Sequence, residues 1–191
     1  MNTQFVAQRR QMRGFTMIEL IVVIVILGIL AAVALPRFTN IQRDARVAKL
    51  NAARGAVQSA AALVHGAALV RAGQGAITTG GCTATTTALG GGQICTETGA
   101  VNVVNWYPTA NLLGIINAAG LTSVFPATAA ALNTEQYNTT GGGAAIGSVL
   151  TIQVLGGTNP ANCSFTYRPS NAAGAAGSSA LVSAVVTTGC G

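Results

Sequence analysis

A run of sixteen uncharged and almost wholly apolar residues, Leu20 to Leu35 (LIVVIVILGILAAVAL), constrains this chain more than any other feature. Extended back to Phe15, it comprises twenty-one residues with a single carboxylate, Glu19. As an α-helix this segment covers about 32 Å, enough for the roughly 30 Å hydrocarbon core of a bilayer. It is hydrophobic all round rather than striped, which suits lipid or a packed core of helices.

Two readings share that pattern. A conventional secretory signal peptide has a basic start, an apolar centre and a small-x-small cleavage site, here Ala32-Val33-Ala34, with a mature chain beginning at Leu35. Against it, the apolar run is slightly long for such a centre, and a carboxylate at its border has no purpose in a segment that is discarded. A retained helix gives Glu19 a purpose. It falls in the first turn, where the helix dipole favours negative charge, and an ionised group in lipid needs a partner. A border carboxylate reaching the headgroups is the plainer alternative.

The charge distribution supports a retained apolar helix with basic flanks. The chain has 10 Lys and Arg against 4 Asp and Glu, a net +6, and only 7% charged residues, against about 25% in an average soluble domain. Arg9, Arg10 and Arg13 precede the apolar run, and Arg37, Arg43, Arg46, Lys49 and Arg54 follow it, offset by Asp44. Beyond residue 54 the charges balance: Arg71 and Arg168 against Glu97 and Glu135. Positive residues on both sides of the run leave topology unsettled by charge alone. The basic stretch 37–54 lacks interleaved aromatics or a helix-turn-helix pattern, so it reads as a solvated face, or one pairing with acidic neighbours and anionic headgroups, and no specific nucleic-acid binding is expected.

The four cysteines, Cys82, Cys95, Cys163 and Cys190, form no C-x-x-C pair, and the single His65 cannot complete a zinc site of common spacing. Two disulfides in an oxidising compartment are expected. Three connectivities are open, and short loops favour Cys82–Cys95 with Cys163–Cys190. Four acids, one His and no nucleophile motif leave little for an enzyme, and no catalytic, metal or cofactor residues are expected. Gly90-Gly91-Gly92 is no phosphate cradle, since no G-K-[ST] follows. The sequons at Asn138 and Asn162 read as chance in an Asn/Thr-rich surface.

Pro36 ends the apolar run and predicts a kink or a break. Helical spacing then resumes at Phe38, Ile41, Ala45, Ala48 and Ala52 and persists to about Val70. Residues 71–100, rich in Gly and Thr, read as a cross-linked surface loop. Strands are predicted at Val101–Pro108, Ala145–Leu155, Cys163–Arg168 and Ser179–Thr188, with a short amphipathic helix at Thr109–Ala119. The expected fold class is α+β: a long N-terminal helix packed on a small antiparallel sheet of three or four strands.

Gly14-Phe15-Thr16-Met17-Ile18-Glu19, preceded by basic residues and followed by the apolar run, resembles the processing motif of type IV prepilins. The resemblance covers about residues 9–54. It implies a leader, 1–14, cut after Gly14 by a prepilin peptidase, with N-methylation of the new amine at Phe15. It further implies that Glu19 and Pro36 serve assembly, Glu19 by neutralising an amine of its own or an adjacent subunit. The organisation would then be 15–35 as transmembrane and filament-core helix, 36–70 as its amphipathic half, and 71–191 as a globular domain with disulfides. Scattered further likenesses (Pro36-Arg37-Phe38, Asp44-Ala45-Arg46, Trp106-Tyr107-Pro108 and a last strand closing on Cys190) resemble the MSHA-type (mannose-sensitive haemagglutinin) pilins, although the Gly/Thr stretch 71–100 has no match there.

The implied function is structural: a pilus subunit held in the inner membrane of a Gram-negative bacterium, then polymerised with itself by the pilus assembly machinery into an extracellular filament for adhesion or motility. The alternatives are a minor pilin or adhesin with a ligand-binding domain, and a type II secretion pseudopilin, from which fewer disulfides and often a calcium site are expected.

Overall fold

The computed structural model describes residues 15–72, 74, 76–79, 82–86, 91–97, 99–170 and 179–191. Contacts divide the chain into two units, one running to Asn40 and the other Ile41–Gly191. One helix, α1 (Met17–Val70), runs through both, unbroken at Pro36.

In the first unit the apolar run forms the helix and keeps its side chains outward: Leu20 through Leu35 are exposed, save a partly covered Ala34. This stretch is the one place among the described residues where a helix is long and apolar enough to cross a membrane.

In the second unit α1 buries Leu50, Ala53, Val57, Ala60, Ala61, Val64 and Ala68, a stripe at helical spacing. The expected stripe lay on another face. Phe38, Ile41, Ala45, Ala48 and Ala52 are all exposed. Alanine occupies both faces of this half, so small side chains alone do not tell which side meets the sheets.

Among the described residues, nine strands form two antiparallel meanders rather than one small sheet. The first orders β1 (Ala76–Thr79), β2 (Cys82–Thr86), β3 (Gly92–Thr96), β4 (Gly99–Val104) and β5 (Tyr107–Pro108). The stretch expected as loop thus carries three strands. Its threonines are β-branched and suit a pleated surface, and cross-strand pairs such as Thr78↔Thr83 and Gln93↔Asn102 hold the register. The second sheet orders β6 (Tyr137–Gly141), β7 (Leu150–Val154), β8 (Ser164–Arg168) and β9 (Leu181–Val182). The predicted strand Ser179–Thr188 shrinks to β9 and an isolated bridge, Ser164↔Val186. The expected helix at Thr109–Ala119 is a π-helical turn, Leu112–Ile116, followed by α2 (Asn117–Ala119). A short helix α3 (Ala129–Thr134), capped by Thr128, precedes β6.

Alternation sends one face of β4, β7 and β8 inward. Ile94, Val101 and Val103 meet Val64 and Ala68 in one cluster. Leu150, Ile152, Val154, Phe165 and Tyr167 meet Leu50, Val57, Ile115, Ile116 and Leu132 in the larger one. The Tyr167 hydroxyl donates to the Pro108 carbonyl at 2.7 Å, tying β8 to β5. Burial raises the Tyr167 phenol well above its ordinary value.

Candidate assembly site

The helix begins with a reciprocal cap. Thr16 donates to Glu19 Oε2 through its backbone N–H, at 3.0 Å, and through its hydroxyl, at 2.7 Å. In return the Glu19 N–H donates to Thr16 Oγ1 at 3.3 Å. This is a capping box, which satisfies backbone donors that the first helical turn leaves without partners. The pattern Thr-x-x-Glu before an apolar run is legible in the sequence, and Thr16 is the residue that motif reading passed over. Both Thr16 bonds fall on one carboxylate oxygen. Glu19 is thereby held back toward the N-terminal end of its own helix, beside Phe15, whose ring is 75% exposed. Gly14, the residue expected before the cut, lies outside the described residues.

The basic residues that follow the apolar run do something other than present a solvated face. Arg46 Nη1 donates to the Cys190 carbonyl at 2.9 Å, and Arg54 Nε to the Ser183 carbonyl at 2.7 Å. Lys49 Nζ donates to the Glu135 carbonyl and stands 4.5 Å over the Tyr137 ring. Three cations one to two turns apart on α1 therefore anchor three separate segments of the C-terminal half by charge-assisted bonds to backbone. Burial, with a smaller contribution from the Glu135 charge, raises the Tyr137 phenol. Arg43 stays exposed.

The cysteines are joined as Cys82–Cys95 and Cys163–Cys190. The second pair is fully buried and belongs to the main core, whereas the first is half-covered and links β2 to β3. His65 packs its ring on Tyr107, centroids 4.0 Å apart, and donates from Nδ1 to the Trp106 carbonyl at 3.1 Å. It is a packing residue. Among the described residues, no group of three or more His, Cys, Asp or Glu side chains is arranged to hold a metal ion.

Among the described residues, the surface whose chemistry stands apart from an ordinary soluble domain is the capped apolar helix. A family model described as the prokaryotic N-terminal methylation motif matches residues 9–35, the segment that contains it. Over 51 residues the chain is 51% identical to "Type IV narrow pilus major component PilA5" of Thermus thermophilus, a stretch that is 27% of this chain and 44% of the relative. Over 55 residues it is 47% identical to "Type II secretion system core protein G" of Pseudomonas aeruginosa, covering 29% of this chain and 37% of the relative. The chain thus spans less than half the length of either relative. No solved structure matches it.

Within the segment that the methylation-motif model matches, Phe15 stands two residues ahead of the first helical residue, Met17, with the capping threonine between them. Pro36 lies inside the helix, where its missing N–H removes a bond from the ladder.

Proposed function

We propose that the chain is a structural subunit of a type IV pilus, cut after Gly14 by a prepilin peptidase, methylated at Phe15 and polymerised with its own copies. The observation that carries this is the capped helix whose side chains from Leu20 to Leu35 face outward without an intramolecular core. Such a surface is tolerable in lipid or against other such helices, and in water it is not. Residence in the inner membrane of a Gram-negative bacterium as a single pass comes first, and packing in a filament core follows. In the second unit the exposed Ile41, Ala45, Ala48 and Ala52 offer further apolar surface to neighbouring subunits.

In the filament Glu19 meets the amine created at Phe15, on its own or an adjacent subunit. The capping box keeps the carboxylate at the helix end where that amine forms. Pro36 supplies a point at which the long helix can bend. Adhesion and motility then belong to the polymer, and the chain carries no catalytic role. The likeness to MSHA-type pilins is the finer form of this reading. Similarity to a type II secretion core protein keeps a pseudopilin role as the second reading.

The test is recovery of sheared surface filaments and intact-mass analysis of their main subunit. A chain starting at methylated Phe15 as the dominant component is the expected result. A start at Leu35 would establish the signal-peptide reading, and surface filaments lacking this chain would favour the secretion reading.

A further inference from the structure

Beyond residue 54 the chain has four charged side chains, Arg71, Glu97, Glu135 and Arg168. On so neutral a surface each one stands out, and two of them have complementary settings. Arg168 ends β8 and shares a face of the second sheet with Thr166, opposite the buried Phe165 and Tyr167. That face holds a groove of about 410 Å³ lined by Val149, Thr166, Arg168, Leu181, Val182 and Ser183. Val149 and Leu181, 45% and 50% exposed, form apolar shoulders beside the half-buried guanidinium. A cation partly sheltered by apolar walls attracts a carboxylate more strongly than one in open water.

Glu97 is exposed in the turn between β3 and β4. The strand ends that flank it are braced three times: by the Thr96↔Gly99 pairing, by the Thr96 hydroxyl donating to the Gly99 carbonyl at 3.0 Å, and by the disulfide at Cys95, two residues from Glu97. A braced tip loses little freedom on docking. Among the described residues, neither the Glu97 nor the Arg168 side chain makes a hydrogen bond or ion pair. The other carboxylates are engaged or differently placed. Glu135 accepts from Ser123, Glu19 accepts from Thr16, and Asp44 sits among the arginines of α1.

We propose that Glu97 of one subunit docks in the Arg168 groove of a second copy of this chain. Tip and groove are different surfaces of the same domain, so the contact is head-to-tail, the kind that propagates into an open polymer rather than closing a pair. This rests on the pilus reading above and adds to it a contact outside the apolar helix. The neutral remainder of the domain leaves few competing charges, so a single pair sets register more than it would on a charge-rich surface.

The experiment uses the full chain in its producing strain, with Arg168→Glu, Glu97→Arg and the two combined. Sheared filament yield is divided by the amount of membrane subunit whose disulfides remain intact on non-reducing gels, which removes misfolded chain from the comparison. Each single reversal should lower that ratio by about tenfold or more, because like charges then face each other, and the double reversal should restore it to within about threefold of wild type. Single reversals that leave the ratio unchanged would overturn the pairing. So would single losses that the double reversal does not repair, since each residue would then act with something else. If the wild-type chain forms no filaments, the pilus reading itself fails and the contact falls with it.

Discussion

Removing the Cys163–Cys190 disulfide by double substitution to alanine should destabilise the globular unit far more broadly than removing Cys82–Cys95. The two cysteines are 27 residues apart, and chain-entropy reasoning for a closed loop of that length gives about 3.5 kcal/mol near 25 °C. The 13-residue separation of the other pair gives about 2.9 kcal/mol by the same relation. Entropy alone therefore separates them only slightly, and packing decides the rest. Cys163 and Cys190 are fully buried in the main cluster with Phe165 and Tyr167, so losing both sulfurs also leaves a void in the core. Cys190 further presents its carbonyl to Arg46, which ties the end of the chain to α1. Cys82 and Cys95 are half-covered and join strands that belong to a sheet with β1 at its edge. Their loss should loosen β1 and β2 locally and leave the main cluster folded. The assay is denaturant unfolding of the detergent-solubilised full chain, read by near-ultraviolet dichroism of the tyrosines and Trp106, with amide hydrogen exchange to locate the opening. Equal exchange in β7 and β8 for the two double variants would refute this division. So would a larger midpoint shift for the Cys82 and Cys95 variant.

Two further outcomes follow from named side chains. Glu19→Gln keeps a capping-box partner for Thr16 while removing the charge, and Glu19→Val removes both; both should insert into the membrane and be cleaved, yet yield few or no filaments, as measured by membrane fractionation beside a count of sheared pili. Wild-type filament yield from Glu19→Gln would mean that capping, and not charge, is what assembly needs. The raised Tyr137 and Tyr167 phenols predict a loss of stability at high pH. The folded state holds their protons after the unfolded state has released them, so stability is complete below an unfolded value of about 10 and falls as the pH climbs above it. Denaturant midpoints measured on either side of that value, beside absorbance titration of the phenolates, check the sign; a midpoint that rises with alkaline pH would contradict it.

Composition misled most at residues 71–100. Its glycines suggest a loop, while Ile77, Thr78, Thr79 and the Cys82–Thr86 run carry the β-branched signal that prevails. At Ser179–Thr188 the opposite happened: an alternating apolar stretch keeps only two residues in the ladder, because Ser183 hydrogen-bonds Thr166 through both its backbone and its hydroxyl. A run of small residues can be judged for propensity from its letters, but not for whether a neighbouring strand offers it a continuous edge.

By itself the sequence determined the apolar helix, its acidic start at Glu19, the N-terminal methylation motif and the α+β class. These depend on short-range facts: hydrocarbon length, helix period, and the residues that a short motif requires side by side. Only the tertiary structure decided which face of α1 is buried, since Leu50, Val57 and Val64 are picked out from surrounding alanines by the sheets they meet. It also turned Arg46, Lys49 and Arg54 from a basic run into anchors for carbonyls that lie 86 to 144 residues further along the chain. Such partners are invisible to local pattern because a backbone carbonyl has no residue-specific signature: any residue can supply the acceptor, and only folding brings one within reach of a given cation.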